Sequence, residues 1–224
     1  MLLNNLRGKI IMKQTFLTEI EIRKVRHLEN ITIPLDKNKR KHLILTGKNG
    51  SGKTSVLESL VTYFDAIVQS SQSSNMGATA VFDSMTDMQN KFNHGNFIFA
   101  YYRAQREFQV ETYENIEKVE LQNKYNIVEN PGAKLTKYLV DLKATQAFTK
   151  DVKKAEKIDR WFKRFENILK TIFEDEHLEL KFNDETFQFS IHESDREPFD
   201  FNTMSSGYAA VLDIINDLII RMEA

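Results

Sequence analysis

Leu43 to Leu57 (LILTGKNGSGKTSVL) constrains this chain more than any other stretch. An apolar run enters a turn holding Gly47, Gly50 and Gly52, and helical spacing starts directly after it. Gly47, Gly52, Lys53 and Thr54 fit G-x-x-x-x-G-K-[ST], the P-loop pattern. Each residue type has a physical task there. The glycines reach dihedrals closed to other residues and let backbone N–H groups approach a phosphate chain. The helix that starts near Lys53 aims its unpaired N–H groups and the positive end of its dipole at the same phosphates. Lys53 supplies a cation for the β- and γ-phosphates, and Thr54 a hydroxyl for Mg²⁺. Leu43 to Leu45 reads as a buried strand, with Val56, Leu57, Leu60, Val61 and Phe64 as the apolar face of the helix. These flanks disfavour the competing reading, a Gly/Ser surface turn.

Composition sets the outer limits. The 224 residues suit one domain, or one large domain with an insertion. A hydrophobic share of 41% with 16 Phe is enough for a sizeable core. The net charge of −1 makes no global electrostatic case for nucleic acid. The absence of cysteine excludes disulfides and thiolate metal sites, and suits a reducing compartment such as the cytoplasm. No run approaches the roughly 18 apolar residues of a membrane span. The start, MLLNNLRGKII, is too short and polar for a signal peptide.

Residues 1–15 read as a peripheral extension and 16–224 as one incomplete domain. Phe16 to Ile33 alternates apolar and polar residues, which predicts two strands joined through Arg23–Asn30 and closed by Pro34. Lys37 to Lys41 (KNKRK) reads as a solvated basic turn. Ser70 to Ala80 reads as a loop or mobile insertion, and Val81 to Phe92 as a short helix. Asn96 to Tyr102 has the apolar continuity of a buried strand, with Phe108–Tyr113 and Lys118–Leu121 as further strands. After a turn at Asn130-Pro131-Gly132 come a helix over Thr136–Phe148 and an amphipathic helix over Asp151–Phe173, a helical insertion spanning about 134–173. Leu178–Phe182 and Thr186–Ile191 suit a hairpin around Asn183-Asp184. A last helix carries Val211, Leu212, Ile214, Ile215, Leu218, Ile219 and Met222 as apolar positions. The five histidines show no metal-ligand spacing, so surface or structural roles are expected of them.

Met204-Ser205-Ser206-Gly207 opens that last helix. Two hydroxyls, a glycine backbone and a helix N-terminus make a second anion site, or alternatively a plain N-cap. Combined with the P-loop and with Ile22-Arg23-Lys24-Val25-Arg26, this motif resembles the RecF/SMC/ABC-type ATPases. The closest likeness is to bacterial AAA-family ATPases of the RecF/OLD kind. In those, F-x-F-N-x-[LM]-S-x-G-Y, here Phe199 to Tyr208, precedes a long helix ending in R-M-E, here Arg221 to Glu223.

The resemblance implies an α/β fold: an ABC/RecF-type P-loop lobe with a mixed sheet, an antiparallel N-terminal part and flanking helices. It implies ATP and Mg²⁺ as ligands. The nucleotide would be held by Arg26, Gly47, Asn49, Gly50, Ser51, Gly52, Lys53, Thr54 and Ser55. Ser205, Ser206 and Gly207 would act on a nucleotide held by a second copy, across a head-to-head dimer. Lys53 and Gln105 would serve catalysis, with Thr54 and Gln105 on Mg²⁺, and Arg103 and Arg106 as further phosphate or partner contacts. DNA or a nuclease is an implied partner, in DNA maintenance or phage defence.

The family also carries an apolar strand ending in Asp-Glu. Ile172-Phe173-Glu174-Asp175 and Ile214-Ile215-Asn216-Asp217 both fall inside helical patterns and do not fit. The expectation is therefore an N-terminal portion with one sheet flank uncovered, which binds ATP with little or no turnover by itself. The competing classes are a non-hydrolysing nucleotide-binding or protein-interaction module, a small-molecule kinase and a transporter ATPase. Gly207-Tyr208 departs from the transporter pattern, where Gly-Gln is typical.

Overall fold

The computed structural model describes residues 15–69, 76–103 and 115–223. These fall into two compact units: 15–101 with 123–129, and 102–122 with 130–223. Among the described residues the elements are two antiparallel sheets and five α-helices.

The first unit is built on β1 (Leu17–Val25) and β2 (Leu28–Pro34), paired antiparallel with Val25 opposite Leu28. The turn is therefore Arg26 and His27 alone, far tighter than the Arg23–Asn30 connection expected from sequence. β3 (Ala78–Phe82) pairs antiparallel on the other side of β1, giving the order β2-β1-β3. Ala78 and Ala80 thus lie in a strand, where the sequence suggested a loop. They are fully buried because α1 (Lys53–Val68) packs close over small side chains. Ser59 Oγ of α1 accepts from Ala78 N–H at 2.8 Å, and Tyr63 donates to Ala80 C=O at 2.9 Å.

Ile20, Ile22, Val56, Leu60 and Ile67 form the core of this unit with Met88 and Phe92 of α2 (Met85–Asn93). Each such side chain contributes about 1.5–3 kcal/mol by leaving water. Phe97 and Phe99 join Phe64 and Phe82 in an aromatic cluster, with Phe64 stacked on Phe99 at 4.7 Å. Their segment forms no ladder, contrary to the strand expected at Asn96–Tyr102.

Leu43 to Leu45 also forms no strand, contrary to expectation, and Ile44 is 81% exposed. An apolar run states a preference for burial but not its partner, and a ladder needs one. The mixed sheet is likewise not formed among the described residues, since both sheets are antiparallel.

The second unit holds α3 (Leu135–Phe148), α4 (Val152–Phe173), the hairpin β4 (Glu179–Asn183) with β5 (Gln188–His192), and α5 (Ser206–Glu223). Asp151 caps α4 by accepting from Lys153 and Lys154 N–H. Ile158, Phe162, Phe165, Leu169 and Phe173 form its buried face, and Phe165 stacks on Trp161. Lys118–Leu121, expected as a strand, has none of the ladder bonds of one.

α5 runs against its own amphipathicity. Its buried positions include Asp213, Asn216, Asp217 and Arg221, while Val211 and Met222 are each 45% exposed. Charge and hydrogen bonding offset the burial of Asp213, Asp217 and Arg221, while the Asn216 side chain is buried without a hydrogen-bond partner among the described residues. Asp217 accepts from Arg221 Nε at 2.7 Å and from the Tyr102 hydroxyl at 2.6 Å. Burial, reinforced by Asp217, pushes the Tyr102 phenol far above its ordinary range. Asp213 accepts from Asn130 Nδ2 at 3.1 Å. Gly132 presses so closely on α5 that a methyl group there would meet Asp217 N at 2.6 Å. Glu223 at the far end of α5 accepts from Trp161 Nε1 at 2.9 Å.

Candidate functional site

The loop from Gly47 to Gly52 closes on itself in front of α1. Gly47, Gly50 and Gly52 have φ of 149, 81 and 90°, so each uses backbone space that favours glycine. Ser51 N–H donates to Lys48 C=O at 3.2 Å, which tightens the loop. Gly52 is the N-cap of α1, and its carbonyl accepts from Val56 N–H at 2.9 Å. The Lys53 ammonium turns back over the loop. It donates to Gly47 C=O at 2.7 Å, to Lys48 C=O at 2.9 Å and to Ser51 Oγ at 3.3 Å. A fixed cation beside glycine amides and a helix N-terminus is a chemical fit for a polyphosphate. Thr54 is exposed at the start of the helix, so its hydroxyl is accessible to a metal-bound phosphate, and Ser55 is half-buried behind it.

The β1–β2 turn packs against this loop. A methyl group on Gly52 would lie 2.9 Å from Leu28 Cδ1 and 3.7 Å from His27 Cε1. Arg26 sits in the same turn with φ of 54° and is exposed. Arg26 and the residues from Gly47 to Ser55 therefore belong to one neighbourhood of the first unit. His27, exposed in the same turn, lies in this neighbourhood as well. The signal for it was its place between Arg26 and Leu28, which acquires meaning only once the turn is known to be two residues long.

Ser205, Ser206 and Gly207 belong to the second unit and are all exposed. α5 begins at Ser206, and Ser205 C=O accepts from Ala209 N–H at 3.0 Å. No described residue lies within 4 Å of where a Gly207 side chain would stand. Tyr208, next in the motif, stacks on Phe173 at 4.4 Å and anchors this open end. Arg103 is exposed, and Gln105, Arg106 and the strand expected at Phe108–Tyr113 lie outside the described residues.

Neither Asp-containing segment follows a strand. Glu174 ends α4 in a left-handed conformation with φ of 55°, and Asn216-Asp217 lies within α5. Asp175 has a structural task instead. It accepts from His177 N–H at 2.8 Å and from Ser194 N–H at 2.9 Å, and these bonds hold its carboxyl below the ordinary carboxylate range. No group of three or more metal-ligating side chains occurs among the described residues. No helix among them is long and apolar enough to cross a membrane.

A family model described as an AAA domain matches residues 19–220. No curated protein gives a significant match. No solved structure does either.

Proposed function

The chain belongs to the AAA-domain family, the P-loop ATPases, and from that premise we propose that its first unit binds ATP with Mg²⁺ at Gly47–Ser55. The observation that carries this reading is the Lys53 ammonium, held over the mouth of the glycine loop by the Gly47 and Lys48 carbonyls. Phosphate oxygens would replace those carbonyls as its partners, and charge-assisted bonds of that kind are the stronger ones. The amides of Asn49 to Gly52 would line the phosphate chain, and Arg26 would face it from the β1–β2 turn. Mg²⁺, held by the Thr54 hydroxyl and in this reading by Gln105, would neutralise charge on the terminal phosphates. Ser205, Ser206 and Gly207 would meet a nucleotide held by a second copy of the chain, because they form an exposed helix start with room beside it. DNA maintenance or phage defence is the setting we propose for the cycle.

Titration of ATP·Mg²⁺ into the protein and its Lys53→Ala variant tests this. Binding that weakens about 10- to 100-fold in the variant is expected, the 1.5–3 kcal/mol of a hydrogen bond to a charged group. Equal affinity in both would end the reading. Binding without turnover is a second reading, favoured by the helical setting of Glu174-Asp175 and Asn216-Asp217. Phosphate release above background from the purified chain, lost in Lys53→Ala, would discard it.

A further inference from the structure

We propose that His27 is a nucleotide-binding residue that donates a hydrogen bond to the phosphate chain of the ligand. This inference rests on the P-loop reading above. The register of the β1–β2 hairpin sets where His27 stands. Val25 opposite Leu28 leaves Arg26 and His27 as the whole turn, so the backbone at His27 is fixed by ladder bonds on both sides. Leu28 then pins the turn to the loop, because its Cδ1 would lie 2.9 Å from any methyl group placed on Gly52. This contact and the φ of 90° together explain why glycine is needed at position 52. The imidazole of His27 comes to the same place, with Cε1 3.7 Å from that methyl position.

The contact point places His27 beside the loop that would cradle the phosphates. In a P-loop the lysine reaches the β- and γ-phosphates, while the loop amides cradle α and β. The Lys53 ammonium is bonded at Gly47, Lys48 and Ser51. His27 stands beside Gly52, the residue after Ser51. Its side chain is exposed, so it can turn toward a ligand without leaving a core. An imidazole N–H offers a donor to a phosphate oxygen, and Arg26 beside it adds positive charge on the same side. Arg26 holds φ of 54°, a conformation uncommon outside glycine, asparagine and aspartate, which the two-residue turn imposes.

The test is calorimetric titration of the chain with ATP·Mg²⁺ and, separately, with inorganic tripolyphosphate·Mg²⁺. His27→Ala is expected to weaken both about 10-fold, and His27→Gln, which keeps an N–H donor, to recover at least half of that loss on a logarithmic scale. Because His27 is exposed, both variants should melt with the wild type, and circular dichroism checks this. Unchanged ATP affinity in His27→Ala would overturn the proposal. So would weakened ATP binding with tripolyphosphate binding intact, since the contact would then be to base or ribose. A wild-type chain that binds neither ligand would instead sink the P-loop reading itself.

Discussion

Two helix N-termini in this molecule carry glycine and hydroxyl residues, and they are built in opposite ways. The start of α1 is closed. Its glycine is buried, a neighbouring turn leans on it, and Lys53 is bonded back over the loop. The start of α5 is open. Ser205, Ser206 and Gly207 are exposed, with no described residue within 4 Å of the Gly207 side-chain position. The difference lies in where each helix is secured. α1 is fixed at its first turn, the end that would meet a ligand. α5 is fixed along its body and at its far end, through Asp213, Asp217, Arg221 and Glu223, which leaves its first turn available. The closed terminus suits a ligand the chain holds itself, and the open one suits something that arrives from outside.

That contrast can be broken experimentally, and the largest effect belongs to the body of α5. Asp217→Ala would remove the buried carboxylate that accepts from Arg221 and from the Tyr102 hydroxyl. A loss of about 3–5 kcal/mol is expected, the cost of breaking a buried ion pair from one side. Chemical denaturation measures it, and a loss below about 1 kcal/mol, the scale of a surface pair, would show that α5 is secured elsewhere.

Glycine substitutions compare the two termini directly. Gly52→Ala must place a methyl group against Leu28 at positive φ, which costs about 1–3 kcal/mol and should also distort the loop enough to remove ATP binding. Gly207→Ala enters open helical space and should instead stabilise by about 0.4–1 kcal/mol. Paired melting curves and titrations decide. Similar losses in both variants would erase the distinction between the closed and open ends.

The smallest effect concerns a third helix end, at the C-terminus of α4, closed by a carboxylate. Hydrogen bonds from Ser194 and His177 lower the folded-state pKa of Asp175 from the ordinary 3.8. Its contribution is therefore present above that value and is lost as pH falls through the lower folded-state pKa. Asp175→Ala should make the acid limb of the stability curve shallower and leave the neutral-to-alkaline side parallel to wild type. A steeper acid limb in the variant would contradict the assignment.

The sequence made some of this legible and not the rest, for identifiable reasons. α4 could be read to within a residue because Asp151 caps it and its aromatic residues repeat at helical spacing through Phe173. α1 could be read because a P-loop dictates a helix at its lysine. β3 could not, since Ala78-Thr79-Ala80 carries little β signal of its own and is a strand only because β1 pairs with it and α1 covers it. Leu43–Leu45 was misread because apolar character does not specify a ladder partner. The buried face of α5 was invisible because Asp213, Asn216 and Asp217 are ordinary surface residues in any helical pattern, and the partners that Asp213 and Asp217 find in Asn130, Arg221 and Tyr102 are distant in sequence or meaningful only once the helix is packed. In the candidate site, Lys53 and the glycines were evident from their spacing. His27 was not, because nothing local distinguishes a two-residue turn at Arg26-His27 from a longer one.

The central claim is that the loop closed by Lys53 is a nucleotide site belonging to this chain. Its most direct test is calorimetric titration of ATP·Mg²⁺ into the wild-type chain and Lys53→Ala under identical conditions, with both shown to be folded by circular dichroism. The account predicts one site per chain in the wild type and a 10- to 100-fold weaker one in the variant, about 1.5–3 kcal/mol. Absence of binding in the folded wild type, or equal affinity in the two proteins, would contradict it.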